Sequence, residues 1–124
     1  MRTFRKEKKI DDPRIKEYCT QLKAAFHRND QTVSDDMIEE MKALREIFIG
    51  HERPTIVKSI RLTYEHIQRY GDFSVRYWDE DEEQPDVSGY EYYIDLIANP
   101  NNKYNKDEIK ELNIRLKASL EEDE

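Results

Sequence analysis

PTIVKSIRLTYEHIQRYG, residues 54–71, contains three signals that together specify a helix. A proline stands at the first helical position, where its missing amide hydrogen costs nothing, and a glycine stands at the end, where helix caps favour it. Between them, apolar residues recur every three or four positions and so form one stripe. The stripe consists of Ile56, Val57, Ile60, Tyr64, Ile67 and Tyr70. We predict a helix that begins at Pro54 and ends at Gly71.

Two similar stretches come before this one. The first helix is predicted to begin with Asp12 as its N-cap and Pro13 as its first residue, and to end near Asn29. The second is predicted to begin around Ser34 and to end at Gly50. Three helices of similar length joined by short loops are typical of a helical bundle.

Two capping-box spacings follow in the second half of the chain. Ser88 and Glu91 predict the start of a short helix, which residues 99–102 would end, and Asn105 and Glu108 predict the start of a last helix. The fold class is therefore predicted as all-α, a single-domain bundle of four to five helices. The inward residues of the last two helices are predicted to be Tyr90, Tyr93, Ile94, Ile97, Ile109, Leu112, Leu116 and Leu120.

Residues 73–78 fit this scheme less well. Phe73, Val75 and Tyr77 alternate with other residues at the period of a strand, yet a lone strand has nothing to pair with in a helical protein. A short extended segment and an irregular or helical one remain equal alternatives. The domain boundaries are predicted as a basic flexible arm at 1–11, a helical domain at 12–120 and a frayed acidic tail at 121–124.

Composition restricts the classes of function. Of the 124 residues 40% are charged, and the net charge of −7 disfavours generic binding to nucleic acid or anionic membranes while favouring a basic partner. A single cysteine, Cys19, excludes an internal disulfide and indicates a reducing compartment. With no secretory signal after Met1 and no long apolar run, the expected location is the cytoplasm, without a membrane association.

The strongest functional signal is the block at residues 72–98. It holds nine acidic residues against one base, Arg76, together with six large aromatic rings. Tyrosine and tryptophan dominate binding hot spots, and surrounding carboxylates speed the encounter with a basic partner. The alternative is that the rings complete the core while the acids solvate a loop. The predicted partner-binding residues are Tyr77, Trp78, Asp79, Glu80, Asp81, Glu82, Glu83, Asp86 and Tyr92.

The sequence lacks the residues that catalytic and metal-binding motifs require at their key positions. A calcium loop counted from Asp79 has Gln84 where glycine is required and Tyr90 where a glutamate is required. The three histidines lack zinc-site spacing and are expected at the surface or its boundary, while Cys19 falls on a predicted inner stripe. We expect no catalytic residues, no cofactor and no bound metal, and hence no enzyme.

The resulting prediction is a protein–protein interaction module, an adaptor or an acidic inhibitor of a basic partner. The alternative is a small DNA-binding regulator, whose second and third helices would form a helix-turn-helix with a basic N-terminal arm. Its phosphate contacts would come from Lys58, Arg61 and Arg69 of the third helix and from Arg2, Arg5, Lys6, Lys8 and Lys9 of the arm. The sequence leaves the oligomeric state open.

Overall fold

The computed structural model describes residues 8–78, 81–83 and 85–121. Within them the chain forms five helices and no strand, which confirms the predicted all-α bundle. No helix in these ranges is both long and apolar enough to cross a membrane. The helices are α1 (Pro13–Arg28), α2 (Asp35–Gly50), α3 (Pro54–Tyr70), α4 (Gly89–Ala98) and α5 (Lys103–Glu121).

The five helices pack side by side in a closed ring of neighbours. Helix α3 contacts α2 and α5, α1 contacts α2 and α4, and α4 contacts α5. Each helix therefore buries two sides of its surface against the core rather than a single narrow stripe. Of the segment between α3 and α4, residues 74–76 lie beside α5, and Ser88 forms the N-cap of α4.

The predicted ends of α1, α2 and α3 are confirmed. Asp12 caps α1 by accepting the backbone N–H of Arg14 at 3.0 Å, and Ser34 caps α2. The Arg14 guanidinium and, to a smaller extent, His51 hydrogen-bond the Asp12 carboxylate and hold its pKa well below its usual range. Gly71 ends α3 with a φ of 87°, in the left-handed region that glycine enters without a steric cost.

The predicted start of the last helix is wrong by three residues. Helix α5 begins at Lys103, and its cap is Asn102, whose side-chain oxygen accepts the N–H groups of Tyr104 at 2.9 Å and Asn105 at 3.3 Å. Both asparagines suit an N-cap, and the earlier one wins because it adds a turn to the helix. The Asn105 side chain instead donates to the carbonyls of Leu96 and Asn99, so it joins α5 to the end of α4.

Helix α4 begins where it was predicted to begin, but only one of the two hydrogen bonds of the predicted capping box is present. The Ser88 hydroxyl accepts the N–H of Glu91 at 3.1 Å, as a capping box requires. The returning contact differs, because the Glu91 carboxylate accepts from the Ser88 hydroxyl at 3.2 Å. The four residues predicted to face inward from α4 are all buried.

Helix α3 carries more polar residues into the core than its apolar stripe predicted. Ser59, Thr63 and His66 are all buried, because α3 lies between α2 and α5 and presents two faces to them. Ser59 accepts a hydrogen bond from the fully buried Tyr93 hydroxyl at 2.9 Å. The expectation of a surface or boundary His66 is wrong, and Tyr70, predicted to be inward, is 39% exposed.

The chain before α1 belongs partly to the packed body. Ile10 is buried, and its backbone exchanges two hydrogen bonds with the Asn101 side chain, at 2.8 and 2.7 Å. Arg53, only 6% exposed, donates from the α2–α3 turn to the carbonyls of Lys8 at 2.7 Å and Pro100 at 3.0 Å. One guanidinium thus joins three segments that are distant in sequence. Residues 1–7 of the predicted arm and 122–124 of the predicted tail lie outside the described residues.

Candidate interaction groove

The segment at residues 73–78 is neither helical nor paired with a strand, yet it keeps the alternation seen in the sequence. Phe73 and Val75 are buried, Ser74 and Arg76, which each follow one of them, are exposed, and Tyr77 is partly exposed. The Phe73 ring stacks on Tyr93 of α4 with centroids 5.7 Å apart. Two apolar anchors therefore fix this segment to the bundle and leave the rings that follow at the surface.

A buried histidine fixes the same segment to α3. The N–H of Ser74 donates to His66 Nε2 at 3.1 Å, so this nitrogen carries no proton. The proton must then lie on Nδ1, which is 2.9 Å from the Ser119 hydroxyl oxygen, and that hydroxyl donates to the Leu116 carbonyl at 2.7 Å. His66 is 2% exposed, and burial lowers its pKa. The neutral imidazole thus joins α3, the 73–78 segment and α5.

Acidification should weaken this junction and the fold with it. In the unfolded chain His66 takes up a proton near its ordinary pKa of about 6.5, whereas the folded protein takes it up only at lower pH. The free energy of unfolding should therefore fall as pH drops below about 6.5, until the folded group itself is protonated. The facing groups are Asp72, whose charge opposes the shift, the Tyr70 ring at 4.8 Å, and Arg115 beside them.

Urea denaturation at a series of pH values checks this expectation. In a His66→Gln variant the urea midpoint should depend less on pH than in the parent chain, because glutamine, unlike histidine, takes up no proton in this range. His27→Gln, which changes an exposed histidine 2.9 Å from Glu91, serves as the control. Parallel curves for the parent and His66→Gln would contradict the assignment.

Three of the predicted rings meet in one cluster. Tyr77 and Tyr92 stack with centroids 4.1 Å apart and planes inclined at 19°, and Trp78 stands edge-on to Tyr77 at 5.3 Å. The Tyr77 hydroxyl donates to the Val87 carbonyl, and the Arg76 guanidinium lies 5.1 Å from the Trp78 ring centroid. The cluster joins the 73–78 segment to α4 and leaves all three rings partly exposed.

These rings form one wall of a concavity of about 420 Å³, which we call the interaction groove. Helix α5 supplies the other wall, and Glu82 and Pro85 lie at the loop side. The Tyr92 hydroxyl donates to Glu108 at 3.1 Å. Burial, and to a smaller extent the charge of this carboxylate, raises the pKa of Tyr92 to about 12. The lining residues are Tyr77, Trp78, Glu82, Pro85, Tyr92, Glu108, Glu111, Leu112 and Arg115.

The predicted acidic residues divide into three groups. Glu82 lines the groove, whereas Asp81, Glu83 and Asp86 are exposed beside it without lining it. Asp79 and Glu80 lie outside the described residues.

Three charged residues of the groove were missed by the sequence analysis. Glu108, Glu111 and Arg115 recur at spacings of three and four on α5, immediately beside the buried positions Ile109 and Leu112. Their spacing places them on one polar flank next to the apolar stripe of α5, and this pattern could have indicated that they share a surface.

Two features bear on the chemistry that the described residues offer: the thiol of Cys19 and the side chains of the groove. Cys19 is buried, and desolvation raises the pKa of its thiol to about 12, so the nucleophilic thiolate is disfavoured. No group of three or more metal-ligating side chains occurs in the part of the chain that the structure describes. The groove itself offers ring faces, three carboxylates and one guanidinium.

The residues named for DNA binding lie on α3 in separate settings. Lys58 is exposed, Arg61 forms an ion pair with Glu65 at 3.2 Å, and the Arg69 guanidinium donates to the Leu120 carbonyl. Helix α3 is also the helix that packs between α2 and α5, with a wide buried face. Of the arm, Lys8 and Lys9 are exposed.

Comparison of the chain with protein-family models, with curated proteins and with solved structures found no match. The assignment of a function therefore depends on the groove and its surroundings.

Proposed function

We propose that this chain is a non-enzymatic protein–protein interaction module, an adaptor or an inhibitor, whose interaction groove binds a basic surface of a partner protein. One observation carries the proposal: three partly exposed rings from two separate segments line a single groove together with three carboxylates. Rings that only completed the core would be fully buried, as Tyr90 and Tyr93 are.

The groove suits a lysine or arginine side chain. The aliphatic stem of such a residue can lie along the faces of Tyr77 and Tyr92, while its charged end reaches Glu82, Glu108 or Glu111. Aromatic rings bury much area with few rotatable bonds, so the entropy lost on binding is small. The exposed acids beside the groove add a field that speeds the approach of a basic partner.

Arg115 lines the groove but has a structural partner. Its guanidinium donates to the Arg76 carbonyl, so it holds the ring-bearing segment against α5. Three carboxylates against this one guanidinium leave the groove negative.

The cytoplasm is the compartment we propose for this activity. The single cysteine is buried and unpaired, which suits a protein that does not depend on disulfides.

Capture from a lysate of the source cells, with the purified chain as bait, tests the proposal. A groove variant should recover about tenfold less of the basic proteins that the parent chain enriches, because each 1.4 kcal/mol of lost binding free energy lowers the affinity by a factor of ten. Replacing a hot-spot ring, as in Trp78→Ala, should have a comparable or larger effect. The groove variant combines Glu82→Gln, Glu108→Gln and Glu111→Gln.

A matched control removes the same number of charges elsewhere. Its three changes affect exposed acids of α1 and α2, so the net charge rises equally while the groove is untouched. Equal recovery with the groove variant and the control would overturn the proposal. Recovery that disappears on nuclease treatment would show DNA as the ligand and overturn it as well. The control combines Glu17→Gln, Glu39→Gln and Glu46→Gln.

A further inference from the structure

Helix α5 carries opposite charges on its two exposed flanks. At about 100° per residue, Glu108 and Glu111 fall on the side of the buried stripe that faces the interaction groove. Lys110, Ile114 and Lys117 fall on the other side. The same helix therefore presents an acidic surface to one neighbour and a basic surface to another.

The basic side forms a surface of its own together with α3. Lys58, Lys110, Ile114 and Lys117, which we call the lysine patch, border a shallow concavity of about 500 Å³ with Pro54, Thr55 and Asn113. Ile114 is 66% exposed, the most exposed large aliphatic side chain among the described residues. An apolar side chain surrounded by lysines resembles the centre of a protein–protein interface, where an apolar anchor is bordered by charged residues.

None of the three lysines forms an ion pair with a residue that the structure describes. This is unexpected in a chain with seven more acidic than basic residues. The groove carboxylates Glu82 and Glu111 likewise have no ion pair within the described ranges. Two unneutralised surfaces of opposite sign thus occur on one molecule.

We propose that the partner of the interaction groove is a second copy of this chain, which docks its lysine patch there. This rests on the proposed function of the groove and names its ligand. Ile114 of one copy packs on the Tyr77–Tyr92 rings of the other, and Lys110 and Lys117 meet the carboxylates on either side. Charge complementarity fixes the orientation, because patch on patch and groove on groove would both place like charges together.

Such a contact joins two different surfaces, so it is heterologous. Each added copy leaves one groove and one patch free, and the assembly grows as a chain or closes into a ring. Two small, charge-rimmed surfaces predict weak association that screening by salt suppresses, since the Debye length falls to about 3 Å at 1 M ionic strength.

Sedimentation velocity on the purified chain gives the first measurement. The weight-average mass should rise above the monomer value of 15.0 kDa with increasing concentration at low salt, and return to it at high salt. A mass that stays at the monomer value across the accessible concentration range would overturn the inference.

Charge reversal then identifies the surfaces. One variant carries Lys110→Glu and Lys117→Glu and keeps an intact groove, and the other carries Glu108→Lys and Glu111→Lys and keeps an intact patch. Each alone should be monomeric, because its two surfaces now repel. Mixed in equal amounts they should associate again, because the intact groove of one variant meets the intact patch of the other and the two reversed surfaces are themselves opposite in charge.

A control variant carries Lys16→Glu and Arg28→Glu on α1, which changes the net charge by the same amount as the patch variant. It should associate like the parent chain. Association that persists in both reversed variants, or a mixture that stays monomeric, would overturn the inference. The proposed function survives separately if the pure chain is monomeric but the groove still captures a different basic protein.

Discussion

Replacing Arg53 with methionine should lower the free energy of unfolding by about 3 kcal/mol, the expected effect of removing a buried guanidinium from several acceptors. Arg53 donates to the Lys8 and Pro100 carbonyls and, at 3.3 Å, to the Asn101 side chain. Methionine fills similar volume without any donor, so these acceptors lose their partner in a partly buried place. The urea midpoint should fall by about 1–3 M at the usual dependence on denaturant.

A second measurement separates this junction from a general loss of stability. The Ile10 N–H donates to Asn101, whose side chain Arg53 helps to hold, so this amide should lose protection from hydrogen exchange more than amides in α3 do. Arg28→Met, an exposed arginine of α1, is the matched control and should change stability by less than about 0.5 kcal/mol. Equal midpoints for Arg53→Met and Arg28→Met would refute the role assigned to Arg53.

Helix boundaries were predictable because the signals that set them are local. Pro13 and Pro54 at first helical positions, Ser34 and Ser88 as caps, and Gly71 at a left-handed end each act within one turn of the chain. The one wrong start, Asn105 for Asn102, arose where two residues of the same type competed. Local rules cannot rank two equivalent caps without the packing around them.

Long-range polar contacts were not predictable in this way. Arg53 and Asn101 are separated by about fifty residues, and in sequence they indicated only a turn and a helix break. His66 is likewise defined by Ser74 and Ser119, which come from two other elements. Such roles depend on which segments the bundle brings together, and that topology is not encoded in any short window.

The groove shows the same division. The sequence pointed to the ring wall of Tyr77, Trp78 and Tyr92, because aromatic residues beside a run of acids favour a surface. It did not decide between surface and core for the block as a whole, since three of its six rings are buried. Its α5 wall was missed, because only the packing of α4 on α5 places Glu108 under the Tyr92 hydroxyl. Composition pointed to the side of the groove that carries the rings, whereas the α5 side is defined only by the fold.

The second large effect concerns Phe73, which anchors the ring-bearing segment. Its buried ring stacks on Tyr93, so Phe73→Ala should lower the free energy of unfolding by about 3–5 kcal/mol through lost burial and a residual cavity. Chemical denaturation of the parent and the variant measures this value. Ser74→Ala, next in sequence, removes a hydroxyl 3.0 Å from His66 Nε2 but no core packing, so it should cost only about 1 kcal/mol. A Phe73→Ala effect no larger than that of Ser74→Ala would contradict the anchor.

Gly89 leaves the space that the Phe73 ring occupies, so the contact between these two residues can be tested directly. A Cβ at Gly89 would lie 2.6 Å from the Phe73 ring, so Gly89→Ala alone should cost about 1–3 kcal/mol through overpacking. With Phe73→Ala present the ring is gone, and Gly89→Ala should be neutral or slightly stabilising, since alanine restricts the unfolded chain more than glycine does. Only the Phe73 backbone oxygen, at 3.3 Å, would still be close. A double-mutant cycle should therefore show a coupling of at least about 1 kcal/mol, and additive effects would mean that the two residues do not touch.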